Sequence, residues 1–172
     1  MMSGHAFAEQ KAADNAAKTE HKALEAMAGQ WTYEAKFWMA AGTEPETSVG
    51  SNNSALIYGG RFLKEESRGT WNGEPFEGTG YTGFDNVKGE YTSVWIDSAA
   101  TGMMHSSGQY DEAKRTFTFN GSGSCPMTGE KDMKMRMEIV LADSDHYTMS
   151  AYRNAPDGSE FKGMEIAYTR EA

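Results

Sequence analysis

Hydrophobic and polar residues alternate along most of the chain after residue 29. Between residues 31 and 39 every second position is apolar: Trp31, Tyr33, Ala35, Phe37 and Met39. Two later stretches repeat the pattern, with the apolar residues Met133, Met135, Met137 and Ile139 in one and Met164, Ile166 and Tyr168 in the other. Because successive side chains of a strand point to opposite faces, this alternation predicts half-buried β-strands.

Turn signals rich in Gly, Asn, Asp and Pro separate the predicted strands. They include Gly59-Gly60, Asn72-Gly73, Lys88-Gly89, Asp111-Glu112 and Asp157-Gly158. We count about ten strands joined mostly by hairpins, the spacing typical of an all-β sandwich or barrel. Closure removes the exposed edges of a meander. The pattern therefore predicts a mainly β protein, an N-terminal helix followed by an up-and-down antiparallel barrel of about ten strands, with a two-sheet sandwich as the alternative.

The chain before Gly29 has a different amino-acid composition. Residues 6–28 are rich in Ala, Glu and Lys and contain neither Pro nor Gly, which favours a helix. Leu24 and Met27 fall at helical spacing, so the last turns should pack on the barrel, and Gly29 is suited to end the helix. We expect residues 1–28 to form a helix against the barrel and residues 29–172 to form a single β-barrel domain.

Charge and composition exclude several classes of partner. The 172 residues include 25 acids against 16 bases, a formal net charge of -9. Nucleic acids and anionic membrane surfaces are bound by basic patches, so neither is expected as a partner. No apolar run is long enough for a membrane span. The first residues lack the features of a signal peptide, which leaves cytoplasmic and periplasmic locations both open.

Several short blocks resemble a known bacterial family, domain of unknown function 1579. They occur in the family's order between about residues 20 and 170, and include Gly29-Gln-Trp31, Tyr58-Gly-Gly-Arg-Phe-Leu63, Gly83-Phe-Asp-Asn86, Trp95-Ile-Asp-Ser98, Gly108-Gln-Tyr-Asp111 and Pro126-Met-Thr-Gly129. Gly29-Gln-Trp31 is also similar to the start of lipocalin-like (calycin) barrels. The resemblance implies a lipocalin-like barrel and carries no reaction and no catalytic residues. Cys125 departs from the pattern, where a polar residue is expected.

The inward faces of the predicted strands supply candidate ligand contacts. Flexible methionine side chains suit an adaptable apolar pocket, and a barrel of this size can hold one small ligand. We expect a small, mainly apolar molecule as the partner and no cofactor. The candidate lumen residues are Tyr33, Phe37, Glu65, Trp95, Asp97, Met135, Met137 and Tyr168.

The sequence leaves the orientation of one strand open. If Trp95 points inward, Tyr91, Ser93 and Asp97 follow it. The opposite phase places Val94 and Ile96 inside, with Trp95 and Asp97 on the outer face or rim. We favour the inward Trp95. A buried acid beside Trp and Tyr would have a perturbed pKa and would mark a site.

Three other functions stay open beside ligand binding. The first is an enzyme acting on a small molecule in the lumen through Glu65 and Asp97, although the chain has no recognisable catalytic signature. The second is haem binding through His105 or His146. The third is an assembly module that forms a homodimer through the 6–28 helix.

Other chemistry is disfavoured by the motifs. The histidines have no metal-ligand spacing, so no metal site is expected, and His5 and His21 should lie in solvent. The Gly-Ser-rich stretch before Cys125 is neither a nucleophile elbow nor a phosphate loop. A single cysteine excludes an intrachain disulfide.

Overall fold

A computed structural model describes residues 15–71, 73–125 and 128–171. Within them a short helix, α1, is followed by a 3₁₀ helix and ten strands, whose bounds are α1 Thr19–Lys22, the 3₁₀ helix Ala23–Met27, β1 Gly29–Phe37, β2 Glu46–Ile57, β3 Phe62–Trp71, β4 Glu74–Asp85, β5 Glu90–Asp97, β6 Met104–Asp111, β7 Thr116–Gly123, β8 Met133–Leu141, β9 His146–Asn154 and β10 Glu160–Arg170. Neither helix in these ranges has the length and apolarity needed to cross a membrane.

The ten strands form one closed up-and-down barrel. Each strand pairs antiparallel with its neighbours in the chain, and β1 pairs with β10 to close the sheet. The closing register runs from Trp31 opposite Arg170 to Phe37 opposite Met164. This confirms the predicted barrel over the alternative sandwich, since a sandwich would leave edge strands.

The N-terminal helix is shorter than predicted. Residues 15–18 are not helical, and residues 6–14 of the predicted helix lie outside the described ranges. The backbone carbonyl of Asn15 accepts a hydrogen bond from Arg61 Nε at 2.6 Å, and that of Ala16 accepts one from Asn86 Nδ2 at 3.0 Å. Barrel side chains thus bind carbonyl groups that a helix would use itself, and tertiary contacts override the intrinsic helix propensity.

The prediction that His21 lies in solvent was wrong. Its side chain is 5% exposed and packs edge-on against Phe84, with the ring centroids 5.9 Å apart. Its Nδ1 accepts a hydrogen bond from the Lys18 backbone N–H at 2.9 Å. Burial lowers the pKa of His21. His21 lies three residues before Leu24, so helical spacing was a signal that could have placed it against the barrel with Leu24 and Met27.

The helical segment closes one end of the barrel with apolar side chains. Leu24 and Met27 are buried there against Trp31 and Leu63, and the Met27 carbonyl accepts a hydrogen bond from Trp31 Nε1 at 3.0 Å. The hydroxyl of Tyr91 donates to the Glu20 carbonyl at 2.6 Å. The opposite end of the barrel is formed by the loops that follow odd-numbered strands, so any large interior space should lie towards it.

Arg170 ties the end of β10 to the start of β1. Its guanidinium lies 4.0 Å from the centre of the Trp31 ring, within cation–π range. Its Nη1 donates to the Ala28 carbonyl at 2.9 Å and its Nε to the Ser144 carbonyl at 2.8 Å. Gly29 leaves space for this contact: its φ is +134°, and a methyl group there would lie 2.3 Å from Arg170 Nη1.

We predict that Gly29→Ala lowers the free energy of unfolding by about 3 kcal/mol, through a strained φ and displacement of Arg170. Gly60→Ala is the matched control, since Gly60 has a positive φ but nothing within 4 Å of an added methyl group, and it should lose only about 1 kcal/mol. Urea unfolding of both variants measures the difference. Equal losses would contradict a specific role for the contact between Gly29 and Arg170.

Candidate ligand cavity in the barrel lumen

The barrel encloses a cavity of about 280 Å³. All ten strands contribute to its wall, which is mostly aromatic and methionine-rich. The aromatic members are Tyr33, Phe37, Trp71, Phe76, Trp95, Phe119, Tyr147 and Tyr168, and the methionines are Met104, Met135, Met137, Met149 and Met164. A volume close to the small end of the ~300–1,000 Å³ range of ligand pockets suits one small molecule.

All eight lumen candidates from the sequence line this cavity. They are Tyr33, Phe37, Glu65, Trp95, Asp97, Met135, Met137 and Tyr168. Their location in the lumen follows from the strand alternation, because each lies on the inward face of its strand. Contact between these residues and a ligand stays a prediction.

Trp95 points inward because the neighbouring strand has no side chains in its way. Gly80 lies opposite Trp95, and Gly78 lies opposite Asp97. A methyl group on Gly78 would lie 2.2 Å from Trp95 Cζ2, and one on Gly80 would lie 3.0 Å from Trp95 Cε3. The indole therefore rests on a strip of bare backbone. Its Nε1 donates to Asp97 Oδ2 at 2.8 Å, which fixes the ring orientation.

Tyr33 uses a second pair of glycines in the same way. A methyl group on Gly50 would lie 2.4 Å from the Tyr33 ring, and one on Gly69 would lie 2.3 Å from its hydroxyl oxygen. The phenol lies over these two glycines and also near Tyr168, with the two ring centroids 5.8 Å apart. Missing side chains on β2, β3 and β4 thus make room for the two large rings.

Glu65 is a carboxyl group inside this aromatic lumen. A methyl group on Gly80 would lie 3.3 Å from Glu65 Oε2, which places the carboxyl beside the six-membered ring of Trp95. Burial raises the pKa of Glu65 to about 7, and a hydrogen bond from the Asn52 side chain partly offsets this effect. The group is therefore poised between its neutral and charged forms near physiological pH.

Asn52, the hydrogen-bond partner of this carboxyl, belongs to a buried network of polar side chains. Asn52 Nδ2 donates to Ser54 Oγ at 2.9 Å, and Ser67 Oγ donates to Asn52 Oδ1 at 3.0 Å. Asn52 is 2% exposed. The sequence did not point to Asn52, because both faces of β2 are largely polar around it and the alternation carries no hydrophobic phase there.

Tyr147 is a second residue that the candidate set missed. Its ring stacks on Tyr168, with the centroids 4.2 Å apart. Burial raises the pKa of both phenols, and the nearby Glu65 adds to the effect, so both stay protonated. The Tyr147 hydroxyl is near Asn52 but makes no hydrogen bond of good geometry with any described residue. The alternation of Tyr147, Met149 and Ala151 was a signal that could have placed this ring in the lumen.

The structure gives little support to haem ligation by the two candidate histidines. His105 borders the cavity, but its side chain is exposed in the outward phase of β6, opposite Val94. His146 is exposed, and its Nδ1 lies 2.9 Å from Asp143 Oδ1. In the described ranges, His, Cys, Asp and Glu form no group of three or more that could hold a metal ion.

The fold and the cavity define a class, a lipocalin-like β-barrel with an apolar internal cavity. The sequence pattern of the family described as "Protein of unknown function (DUF1579)" matches residues 16–170. The chain belongs to this family, as its short blocks indicated. A comparison with curated proteins gave no match.

Solved structures share the fold. Rv2717c from M. tuberculosis is similar with a TM-score of 0.66 and 15% identity, over 91% of this chain and 100% of that one. The S-type phycobiliprotein lyase CPES from Guillardia theta is similar with a TM-score of 0.56 and 10% identity, over 91% of this chain and 99% of that one. At these identities the likeness extends to the barrel architecture alone.

We predict that Gly78→Ala displaces the Trp95 indole, because the added methyl group overlaps its ring. The displaced ring loses its Asp97 contact and meets more water, so tryptophan emission should shift to the red, with a loss of about 1–3 kcal/mol in stability. The control is the same substitution in a Trp95→Phe background. A red shift of equal size in that background would contradict the assignment to Trp95.

We predict that Glu65→Gln stabilises the protein at neutral pH. The folded-state pKa of Glu65 lies near 7 and its ordinary value is 4.5, so the unfolded chain releases this proton at lower pH than the folded chain does. Stability falls as pH rises from about 4.5 to about 7 and is level above that, a loss on the order of 3 kcal/mol that the glutamine removes.

Urea unfolding of wild type and Glu65→Gln across this pH window tests the sign. Glu66→Gln is the control, since Glu66 lies on the outer face of the same strand and contacts Lys64 at 2.9 Å. Parallel stability curves for wild type and Glu65→Gln would contradict a carboxyl group with a raised pKa in the lumen.

Proposed function

We propose that this protein binds a small, mainly apolar molecule in the lumen of its barrel. The observation that carries the proposal is the cavity of about 280 Å³, walled by aromatic and methionine side chains with few polar groups. Binding sites for small molecules combine an apolar, concave wall with a small number of placed polar groups. A barrel with no such role would gain stability by filling this space.

Different regions of the cavity wall suit different parts of a ligand. Met135, Met137 and Met149 offer flexible, polarizable surface that adapts to an apolar body. Glu65 and the phenols of Tyr33 and Tyr168 offer polar atoms for one head group. The ligand should therefore be apolar over most of its surface and polar at one end.

The ligand is expected to enter at the end of the barrel opposite the helix. The helical plug of Leu24 and Met27 closes the other end. Phe37 and Trp71 contact each other near the end opposite the helix, with their ring centroids 4.4 Å apart, and both line the cavity. These two rings are placed to control access.

A second candidate is catalysis by Glu65 on a molecule held in the same lumen. The pKa of Glu65, about 7, favours it, because a general acid or base works best near the operating pH. Pairing with Asp97 has less support. Asp97 accepts hydrogen bonds from Trp95 Nε1 and from the Ala99 backbone N–H, so the two carboxyls lie at different edges of the indole.

Filling the lumen should abolish binding of a neutral apolar probe, N-phenyl-1-naphthylamine, whose fluorescence rises in apolar sites. Ile139 lines the cavity, and Val140 beside it points outward and is 41% exposed. We expect Ile139→Trp to lose probe binding at least tenfold, because the indole fills the space, and Val140→Trp to retain it.

Circular dichroism should show that both variants fold. Probe binding by neither wild type nor Val140→Trp, or equal binding by all three proteins, would overturn the proposal. Native mass spectrometry of protein purified from its own host identifies the physiological ligand by its co-purifying mass.

A further inference from the structure

The charged side chains that line the cavity are all acidic. Among the described residues that line it, Glu65 and Asp97 are acidic and none is a lysine or arginine. Asp97 has two internal donors, Trp95 Nε1 and the Ala99 N–H. Glu65 has the Asn52 amide beside it, and no cation contributes to its pKa. Within the part of the chain that the structure describes, the lumen thus contains an acid with no positive partner of its own.

Aromatic rings surround the same point. Trp95 and the Glu65 carboxyl both lie beside Gly80. Tyr147 and Tyr168 are close enough for the charge of Glu65 to raise the pKa of both phenols. Tyr33 flanks Tyr168. The faces of electron-rich rings attract cations, and the attraction is largest where water is excluded. Both the carboxyl and the rings therefore favour a positive group at this place.

The three possible head-group charges differ in what they do to Glu65. An anionic head would add negative charge to a low-dielectric space with no compensating cation. A neutral head would leave the Glu65 carboxyl without a positive partner. A cationic head would pair with the carboxylate and contact the rings, which compensates the charge of both groups in one step.

We propose that the natural ligand of this cavity is a small amphiphile with a protonated amine, its ammonium group seated between Glu65 and the rings of Trp95 and Tyr168. This inference rests on the proposed function and adds the chemical class of the ligand. The apolar body of the amine lies towards the methionine-rich wall and the end of the barrel opposite the helix.

A matched set of probes tests the class: 4-phenylbutylamine, 4-phenylbutanol and 4-phenylbutyrate, which share one apolar body and differ in the charge of the head. Isothermal titration calorimetry at about pH 8 should rank the amine first, at least tenfold tighter than the alcohol, and the carboxylate last. The affinity of the amine should fall at least tenfold at about pH 5.5, where Glu65 is protonated, while that of the alcohol changes little.

Variants assign the preference to Glu65. In Glu65→Gln the amine should lose its advantage and bind no better than the alcohol. Glu66→Gln, on the outer face of the same strand, should behave as wild type. An amine preference that persists in Glu65→Gln would overturn the assignment.

Failures of the two proposals are distinguishable. If N-phenyl-1-naphthylamine binds and the three probes bind equally, bind with the carboxylate first, or do not bind at all, the amine class is wrong and the binding function stands. If the neutral fluorescent probe also fails to bind the lumen, the proposed function fails and the amine class fails with it.

Discussion

Closure of the sheet between β1 and β10 is the constraint on which the other features depend. Pairing of Trp31 with Arg170 and of Phe37 with Met164 turns a meander into a barrel with no free edge. Once the sheet is closed, one face of every strand is inside. The Arg170 guanidinium, stacked on Trp31 and bonded to the Ala28 carbonyl, holds the two chain ends together and seats the helical plug in the same place.

Absent side chains are as important as present ones for the shape of the lumen. Gly78 and Gly80 make room for Trp95, and Gly50 and Gly69 make room for Tyr33. Two large rings thus lie flat against the wall, where upright rings would cross the lumen. The interior keeps an open space that close packing of ordinary side chains would remove.

Glu65 illustrates a conflict between the stability of the fold and the use of a charged group in the cavity. A buried carboxyl without a cation lowers stability at neutral pH, and the Asn52, Ser54 and Ser67 network reduces this loss only partly. A glutamine of almost the same shape would avoid it. A residue that destabilises the fold in the wall of an apolar cavity is expected where binding or chemistry uses its charge.

The sequence by itself determined the strands, the barrel, the family and the inward position of residues such as Met135 and Tyr168, because alternation with a period of two is a local property. Tertiary structure decided the rest. Trp95 had two possible phases, and the assembled barrel takes the one in which Tyr91 is buried and Trp95 rests on the glycines of β4. The predicted helix had good propensity, but barrel side chains bind the carbonyl groups of Asn15 and Ala16, and His21 is buried against Phe84. The pKa of Glu65 comes from neighbours on other strands, and no local pattern records how ten strands meet around one carboxyl group.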